Sequence, residues 1–218
     1  MEKQLIIGLG SGRCGTTSLY RLLNLQKNSH IRHESKPMLT WEYDKEKIDN
    51  KLEKILSKNK RYVGDVASYY LPYIEYIISK NPSAKFIILK RSREEVVKSF
   101  IKKTAKHDWN HWKINPRKNE INQWDSIFPK YNLNSKEEAI RKYWNRYYQK
   151  CEKLLKKYPE NVKIFNMEDL NSKTKVKDIL DFSGIKEKDQ KVVQNIKENQ
   201  SGDSLFRIKY IYWGADKI

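Results

Sequence analysis

A glycine-rich segment near the start of the chain has the residue types of a phosphate-binding loop. In the sequence GSGRCGTT, Gly10 and Gly15 have the G-x-x-x-x-G spacing. Glycines allow backbone N–H groups to converge on phosphate oxygens, and a helix that begins after them adds a partial positive charge. Arg13 adds a cation, and Thr16 and Thr17 add hydroxyl donors. The segment therefore predicts a site for a terminal phosphate.

The loop departs from its nucleoside-triphosphatase form at one position. That form carries a lysine directly after the last glycine, for the β- and γ-phosphates. Here Thr16 occupies that position, and the cation, Arg13, lies inside the loop. This disfavours a magnesium-bound triphosphate, although a P-loop kinase of a small molecule or nucleotide stays as the alternative. Cys14 lacks the C-x5-R order of phosphatases and is predicted to be a small residue that faces the core.

A second pair of polar residues follows a later apolar run. Arg91 comes directly after the predicted strand Lys85–Lys90, and Ser99 lies eight residues further on. Arg91 would project from the carboxyl end of a parallel sheet, where ligands bind in open α/β folds. Ser99 would lie about two turns along the next helix. The pair predicts a second phosphate site, separate from the first.

The elements that position these residues alternate between strands and helices. Apolar runs predict strands at 5–9, 61–66, 85–90 and 162–166, and helical periodicity predicts helices at 16–24, 45–59, 70–80, 93–106, 137–158, 173–182 and 187–199. Ser92 and Glu95 have the S-x-x-E spacing of a capping box at one helix start. No repeat and no Gly/Ser-rich linker divides the chain. We therefore predict one domain over residues 1–218, a three-layer α/β/α fold with a mostly parallel central sheet, like the P-loop NTPases.

Composition restricts the class of protein. The 218 residues include 45 Lys and Arg against 27 Asp and Glu, a net charge of +18. Such a charge favours anionic ligands, and a non-catalytic nucleic-acid-binding protein stays a second alternative. No apolar run reaches the roughly 20 residues that a membrane span needs. The N-terminus does not resemble a signal peptide, and only two cysteines are present, so a cytoplasmic location is expected.

Three segments together resemble the sulfotransferases that use 3′-phosphoadenosine 5′-phosphosulfate (PAPS). Residues 12–19 resemble the loop that holds the 5′-phosphosulfate, with Arg13 where the family often has Lys or Arg. Residues 90–99 resemble the 3′-phosphate motif, in which an Arg, an internal Glu and a Ser keep this spacing. Residues 162–170 and 180–185 resemble the family's late strand, its Glu-Asp-Leu and its Phe-x-Gly-Ile helix end. The likeness is nearer the glycan and bacterial type than the cytosolic small-molecule type.

The resemblance implies a reaction and a set of ligands. It implies transfer of the sulfuryl group to a hydroxyl or amine by in-line displacement, with adenosine 3′,5′-bisphosphate (PAP) as product and no metal. The implied donor-binding residues are Gly12, Arg13, Cys14, Gly15, Thr16, Thr17, Ser18, Arg91 and Ser99. Arg93 stands where many members have proline. The basic C-terminal loop of cytosolic members has only loose counterparts here, Lys197–Asp203 and Arg207.

A base must take the proton of the acceptor. The stretch after the first helix contains two candidates, His33 and Glu34, where glycan-type members of the family carry a catalytic Glu. We predict Glu34 as the base, with His33 as the alternative, and a surface pair without a catalytic role remains open. Lys36 could contact the sulfonate or the acceptor. Asp65, at the end of a predicted strand, is a further candidate expected to point toward the cleft.

An irregular segment at about 107–134 is aromatic and basic. Loops of this length in a compact domain are either functional or partly helical. Trp109, Trp112 and Trp124 could form an acceptor wall at about 107–131, beside residues 30–36, since aromatic faces stack on sugar rings and cations attract acidic groups. They could equally pack a small helical subdomain. If the protein is a sulfotransferase, its acceptor could be a carbohydrate. Neither a nucleic-acid partner nor a membrane span is expected in that case.

Overall fold

Short apolar runs form a parallel sheet with helices between the strands. The computed structural model describes residues 2–106, 110–118, 121 and 124–193. Its strands are β1 (Gln4–Leu9), β2 (Ser29–His33), β3 (Tyr62–Val66), β4 (Lys85–Lys90) and β5 (Val162–Asn166). Its α-helices are α1 (Thr16–Asn24), α2 (Lys45–Leu56), α3 (Ile74–Lys80), α4 (Arg93–Thr104), α5 (Lys136–Lys157) and α6 (Lys173–Phe182). Short 3-10 turns cover Ser68–Tyr73, Asp125–Ile127, Met167–Asn171 and Glu187–Asp189.

The strand order determines where a ligand can bind. The sheet has the order β2-β3-β1-β4-β5, and every pair is parallel. After β1 the chain forms β2 and β3 on one side of β1. It then crosses to the other side, where β4 and β5 lie. In open parallel sheets such a reversal opens a crevice at the carboxyl ends of the two strands. The predicted α/β/α fold is confirmed. The reversal lies between β1 and β4, so a ligand crevice is expected at the carboxyl ends of these two strands.

Both faces of the sheet are buried, as parallel strands require. On one face, alternate β1 residues such as Leu5 and Ile7 pack with the apolar sides of α2, α3, α4 and α5. On the other face, Ile6 packs with leucines of α1 and with Val176 and Ile179 of α6. Successive side chains of β1 therefore belong to two different hydrophobic layers, one on each face of the sheet. Among the residues that the structure describes, no helix combines the length and apolar character that a membrane crossing needs.

Strand β2 and the helix predicted at 187–199 differ most from the sequence-based prediction. Strand β2 was not predicted, because at the sheet edge only Ile31 of its five residues is buried. The predicted helix at 187–199 is wrong over its described part: a single 3-10 turn is followed by residues 190–193 without helix. The buried amide of Gln26 explains this, since it accepts from Lys191 N (2.6 Å) and donates to Lys191 O (3.3 Å). Residues 194–199 lie outside the described part.

The predicted helix at 70–80 divides into two pieces. Residues 68–73 form a 3-10 turn, with Pro72 inside it, and α3 follows. Proline lacks the N–H that an α-helix interior needs, which accounts for the late start of the α-helix. The other predicted strands and helices are present, with ends shifted by a few residues.

Gly64 offers a test of the sheet packing. It lies in β3 opposite Ile6 of β1 and Ile31 of β2, and a Cβ there would lie 1.7 Å from Ile6 O. Gly64→Ala must therefore displace backbone, and we expect the free energy of unfolding to fall by about 3 kcal/mol, the upper end for overpacking. Urea denaturation measures this. A midpoint equal to that of the wild-type protein would contradict the packing.

Candidate active site

The predicted site residues follow three strands that end at the same edge of the sheet. The glycine-rich loop follows β1, Glu34 follows β2, and Arg91 follows β4. Because all strands are parallel, these positions converge at the carboxyl edge. The fold therefore brings together segments that lie far apart in sequence.

The loop between β1 and α1 turns back on itself through left-handed backbone conformations. Gly12, Arg13 and Gly15 have φ angles of 82°, 55° and 89°. At Gly15 the N-cap position of α1 allows no side chain, since a Cβ would lie 2.9 Å from Met167 Cγ. The loop thus ends directly at the N-terminus of α1, where backbone N–H groups favour an anion.

Two site candidates carry backbone strain. Among the described residues, four non-glycine residues have positive φ, and two of them, Asn28 and Asn115, are of a type that tolerates it. The other two are Arg13 (55°) and Glu34 (50°). Strain of this kind costs on the order of 1–3 kcal/mol and concentrates at functional sites. This observation supports the selection of Arg13 and Glu34 over their neighbours.

Arg13 joins the two predicted phosphate sites. Its Nε donates to Ser99 Oγ on α4 at 3.0 Å, and its carbonyl oxygen accepts from Arg91 Nη1 at 3.1 Å. Arg91 Nη2 donates to Glu95 Oε1 at 3.2 Å, whereas the buried Arg91 Nε has no hydrogen-bond partner among the described residues. The loop and the second motif therefore form one continuous cationic site.

The electrostatics of this site favour an anion. Burial lowers the pKa of the Arg13 guanidinium, and the adjacent positive charge of Arg91 lowers it further. An anion between two guanidinium groups relieves that repulsion and gains charge-assisted hydrogen bonds. The unpartnered Arg91 Nε supplies a donor for it. Phosphate is an anion of the right geometry for such forked donors.

Glu34 and His33 lie at the start of α1, beside the loop. His33 Nε2 is 3.4 Å from Thr16 Oγ1, and His33 Nδ1 is 4.0 Å from Glu34 Oε2. The Glu34 side chain keeps 38% of its surface exposed, and its backbone N–H donates to Val66 O at 3.1 Å. Both candidate bases thus border the crevice, and the contact to Thr16 places them next to the predicted phosphate site.

Burial raises the pKa of the Glu34 carboxyl above its usual range. Asp65 raises this pKa as well, whereas His33 and Arg13 lower it. A glutamate with a raised pKa is a stronger base when it is ionised, and catalysis by a base is most efficient when its pKa is near the working pH. The environment of Glu34 therefore suits proton abstraction.

The other loop residues have different roles. Cys14 is completely buried, and burial raises the pKa of its thiol to about 11, so the predicted core position is confirmed and only its backbone can face a ligand. Thr16 and Thr17 are half-buried on the first turn of α1, and Ser18 is buried. Both threonines are therefore partly exposed, whereas Ser18 is buried in the protein.

Helix α5 supports the loop through residues that the sequence analysis missed. Tyr148 OH donates to Leu89 O (2.7 Å) and lies 3.4 Å from the donating N–H of Ser11. Trp144 Nε1 donates to Arg91 O at 3.1 Å. The helical periodicity of these aromatic residues indicated only a buried face, and no local signal linked them to the loop.

The start of α4 lies where the sequence predicts it, but the predicted hydrogen bonds are wrong. Ser92 is the N-cap residue and makes no side-chain bond to the backbone of the first turn. Its Oγ donates instead to Glu95 Oε2 at 2.6 Å. The same carboxylate receives Arg91, so the Glu95 side chain bridges both residues rather than capping the helix.

Asp65 does not point into the crevice, which corrects the sequence prediction. Its side chain is fully buried and lies 3.1 Å from the ammonium of Lys51. A lone buried carboxylate is costly unless it is paired, and α2 supplies the cation. Lys36 is exposed, two residues from Glu34.

Trp112 of the irregular segment packs in an aromatic cluster that includes Phe100. Trp112 is buried and contacts Phe100 edge-on (centroid distance 5.2 Å), Phe128 (4.8 Å) and Tyr143 (5.5 Å). Phe100 in turn contacts Gly12, where a Cβ would lie 3.1 Å from the ring. Of the two interpretations, the structure supports packing for Trp112. Through Phe100, this aromatic cluster is connected to Gly12 of the loop.

Several predicted features lie outside the described residues. Trp109 and the C-terminal candidates Lys197–Asp203 and Arg207 are among them. Trp124 lies within the described part and is half-buried against the same core. Within the described residues, no group of three or more His, Cys, Asp or Glu side chains is arranged to hold a metal ion.

Solved structures of sulfotransferases are among those that share this fold. The crystal structure of a sulfotransferase from Alicyclobacillus acidocaldarius has a TM-score of 0.56 and 18% sequence identity, and the alignment covers 93% of this chain and 87% of that chain. The crystal structure of mouse sulfotransferase SULT7A1 complexed with PAP has a TM-score of 0.51 and 14% identity, with 85% and 60% covered. At such identities the likeness concerns the fold.

The family is shown by the sequence itself. No curated protein sequence matches the chain significantly. A family model of the sulfotransferase domain, Sulfotransfer_4, matches residues 5–172, a stretch that contains the loop after β1, Glu34 and the Arg91–Ser99 motif. The match covers well over half of the chain and agrees with the fold and with the geometry of the crevice. The chain therefore belongs to the sulfotransferase domain family.

Proposed function

We propose that the protein is a PAPS-dependent sulfotransferase acting on a hydroxyl or amine acceptor. The observation that carries this proposal is the contact of Arg13 with both Ser99 and Arg91, which makes one cationic site from the two motifs. A donor with phosphates at both the 5′ and the 3′ position matches such a continuous site. The buried Arg91 Nε has no partner within the part of the chain that the structure describes, and it is a donor that a phosphate oxygen would satisfy.

Different residues would bind the 5′-phosphosulfate and the 3′-phosphate of the donor. The loop from Gly12 to Thr17, at the N-terminus of α1, would bind the 5′-phosphosulfate through backbone N–H groups and two hydroxyls. The 3′-phosphate would be bound by two donors, Arg91 directly after β4 and Ser99 on α4. PAPS supplies the sulfuryl group, and PAP leaves with the bridging oxygen. Arg13 would offset the negative charge that develops on this leaving group.

Glu34 would act as the base. As the acceptor oxygen or nitrogen forms its bond to sulfur and the bond from sulfur to the bridging oxygen breaks, the proton of the acceptor passes to the Glu34 carboxylate. The raised pKa of Glu34 favours this transfer. His33, which lies between Glu34 and Thr16, is the alternative base. The acceptor would enter beside residues 30–36 and the aromatic segment at 107–131, since Trp112 of this segment packs on Phe100, which lies against Gly12 of the loop.

Titration with nucleotides tests the donor assignment. Calorimetry would compare PAP and AMP without magnesium, and ATP with magnesium. We expect PAP to bind about 10- to 100-fold more tightly than AMP, because charge-assisted hydrogen bonds to the 3′-phosphate contribute about 1.5–3 kcal/mol. Preference for ATP with magnesium would favour the P-loop kinase. Absence of nucleotide binding together with salt-dependent affinity for DNA or RNA would favour the nucleic-acid-binding alternative.

Arg91→Ala tests the 3′-phosphate site separately. We expect PAP affinity to fall by about 10- to 100-fold, to the level of AMP, since the guanidinium is the charged donor of this site. AMP affinity in the variant separates two causes: a loss confined to PAP indicates a 3′-phosphate contact, and an equal loss for both indicates disruption of the Arg13 backbone. Arg93→Ala is the matched control, because this exposed arginine pairs with Glu94 and should leave both affinities unchanged.

A further inference from the structure

A buried ion pair lies beneath the segment that carries Glu34. Lys51 on α2 and Asp65 on β3 are 3.1 Å apart, and their side chains are 1% and 0% exposed. Charged groups are rarely buried to this degree. Desolvation of the two charges costs several kcal/mol per ion, so a buried pair is weak evidence for a stabilising role. The contacts of the pair indicate what else it does.

Lys51 binds the backbone after Glu34. Its ammonium donates to the carbonyl oxygen of Ser35 and to that of Pro37 (3.0 Å), and lies 3.1 Å from both Ser35 Oγ and Tyr69 OH. One buried cation thus fixes two carbonyl groups on the C-terminal side of Glu34. A neutral apolar side chain at position 51 would remove the Lys51 donor from the Pro37 carbonyl and leave the Ser35 carbonyl with only the hydroxyl of Tyr69 (3.0 Å).

Asp65 also binds Ser35. Its carboxylate accepts from Ser35 Oγ at 2.9 Å and from Ser35 N at 3.4 Å. Tyr70 OH (2.9 Å) and Tyr69 OH (3.3 Å) also donate to it. Ser35 is therefore held at its N–H and hydroxyl by Asp65 and at its carbonyl by Lys51, so the residue has little freedom to move.

These contacts fix Glu34 between two anchored points. On its N-terminal side, the Glu34 N–H donates to Val66 O at 3.1 Å, next to Asp65 in β3. On its C-terminal side, Ser35 is held by the ion pair. Glu34 itself has a φ of 50°, a conformation that a non-glycine residue adopts only where the surroundings enforce it. The ion pair provides that enforcement.

We propose that Lys51 and Asp65 are positioning residues, which hold the Ser35–Pro37 backbone so that the Glu34 carboxylate faces the donor site. The inference rests on the proposed role of Glu34 as the base. The pair does not touch the crevice. It acts through Ser35, and its loss would displace or loosen the carboxylate rather than remove a contact to the donor.

The charge of Asp65 provides an independent readout. Among the described residues, the charged and titratable groups around Glu34 are His33 beside it, Arg13 in the loop, Asp65 and Tyr69 on the β3 side, and Lys51 on α2, which donates to the neighbouring Ser35. Burial and Asp65 raise the Glu34 pKa, whereas His33 and Arg13 lower it. Removing the negative charge of Asp65 should therefore lower this pKa. A Glu34 pKa at its wild-type value would show that Asp65 does not act on Glu34.

The experiment combines kinetics with a direct titration of Glu34. In Asp65→Asn, we expect kcat to fall by about 10- to 100-fold, since a small displacement of a reacting group has effects of this size. KM for PAPS should be unchanged. The acidic limb of the kcat–pH profile should move to lower pH, and a carbon-13 NMR titration of the glutamate carboxyls, with Glu34→Gln for assignment, should show the same shift.

Two further variants keep the result interpretable. Ser35→Ala removes only the hydroxyl that Asp65 holds and is expected to lower kcat several-fold with unchanged KM, even where Asp65→Asn fails to fold. Lys47→Met is the matched control, because Lys47 forms an exposed ion pair with Asp44 (2.9 Å) at the start of the same helix. It should leave kcat, the pH profile and the Glu34 titration at wild-type values.

The outcomes separate this inference from the proposed function. A folded Asp65→Asn protein with wild-type kcat and Glu34 pKa overturns the positioning role and leaves the sulfotransferase assignment in place. If Asp65→Asn does not fold, wild-type kcat in Ser35→Ala overturns the role instead. If the wild-type protein neither binds PAP nor consumes PAPS, the proposed function fails, and the NMR titration still decides whether Asp65 acts on Glu34.

Discussion

Glu34→Gln is expected to lower kcat by about 10²- to 10⁴-fold, the contribution of a positioned general base, while PAP binds as in the wild-type protein. The amide has nearly the same shape as the carboxylate, so the backbone contacts of Glu34 are kept. It cannot accept the proton that the acceptor releases. Steady-state kinetics with PAPS and a hydroxyl or amine acceptor found by screening measures kcat, and calorimetry with PAP measures binding.

The control for this variant is Glu42→Gln, a change of the same kind at an exposed glutamate eight residues along the chain. It should leave kcat unchanged. His33→Asn decides between the two candidate bases, because His33 and Glu34 lie only 4.0 Å apart. Wild-type turnover in Glu34→Gln, with loss of turnover in His33→Asn, would transfer the role of base to His33.

The pH dependence follows from the direction of the Glu34 pKa shift. The base works as the ionised carboxylate, so kcat should be retained above its pKa and lost as the pH falls through it. Burial raises this pKa, and Asp65 raises it further, against the opposing effects of His33 and Arg13. The acidic limb of the kcat profile should therefore lie above the usual range of glutamate, and it should be absent from the residual activity of Glu34→Gln.

The phosphate-binding part of the site could be predicted because its signal is local. The spacing of Gly10 and Gly15 between a strand and a helix, and that of Arg91 and Ser99, requires only that the flanking elements form. Their apolar runs are continuous, as expected for strands buried on both faces. What spacing did not predict is that Arg13 would reach Ser99, 86 positions away in sequence, and so unite the two motifs.

The support of Glu34 could not be predicted, because it depends on residues that usually lie at the surface. Lys51 is one of many lysines, and on a helix wheel it is an ordinary polar position. Only the pairing of β3 with β2 brings Asp65 beside Ser35 and allows α2 to supply its cation. Strand β2 itself gave a weak signal, since at a sheet edge one buried residue, Ile31, was enough to hold it.

Arg13→Ala is expected to lower kcat/KM for PAPS by about 10²- to 10³-fold, the effect of removing one preorganised donor to a developing negative charge. The guanidinium is half-buried, at the point where the loop and the second motif meet, so its charge is poorly screened by water. PAP affinity should fall as well, because the leaving group carries the same phosphates. Kinetics and calorimetry on the same preparation measure both effects.

Arg13→Lys separates charge from geometry. The ammonium keeps the positive charge but lacks the forked donors that a guanidinium presents, and it cannot reproduce the bond from Nε to Ser99 Oγ. We expect kcat/KM between those of the wild-type protein and Arg13→Ala. Since Arg91 donates to the backbone carbonyl of Arg13, this contact persists in both variants, and the difference between them reports on the side chain alone.

If the protein only binds nucleic acids, we expect Arg13 to have no special importance for binding. In that case Arg13 would be one cation among the 45 Lys and Arg residues, and its replacement would change affinity no more than Arg93→Ala does. In a sulfotransferase, we expect Arg13→Ala to lower the affinity far more than Arg93→Ala does, since Arg13 adjoins Arg91, Ser99 and the N-terminus of α1. Equal PAP affinity in Arg13→Ala and Arg93→Ala would therefore contradict the donor site, and a large difference between them would locate it at the loop after β1.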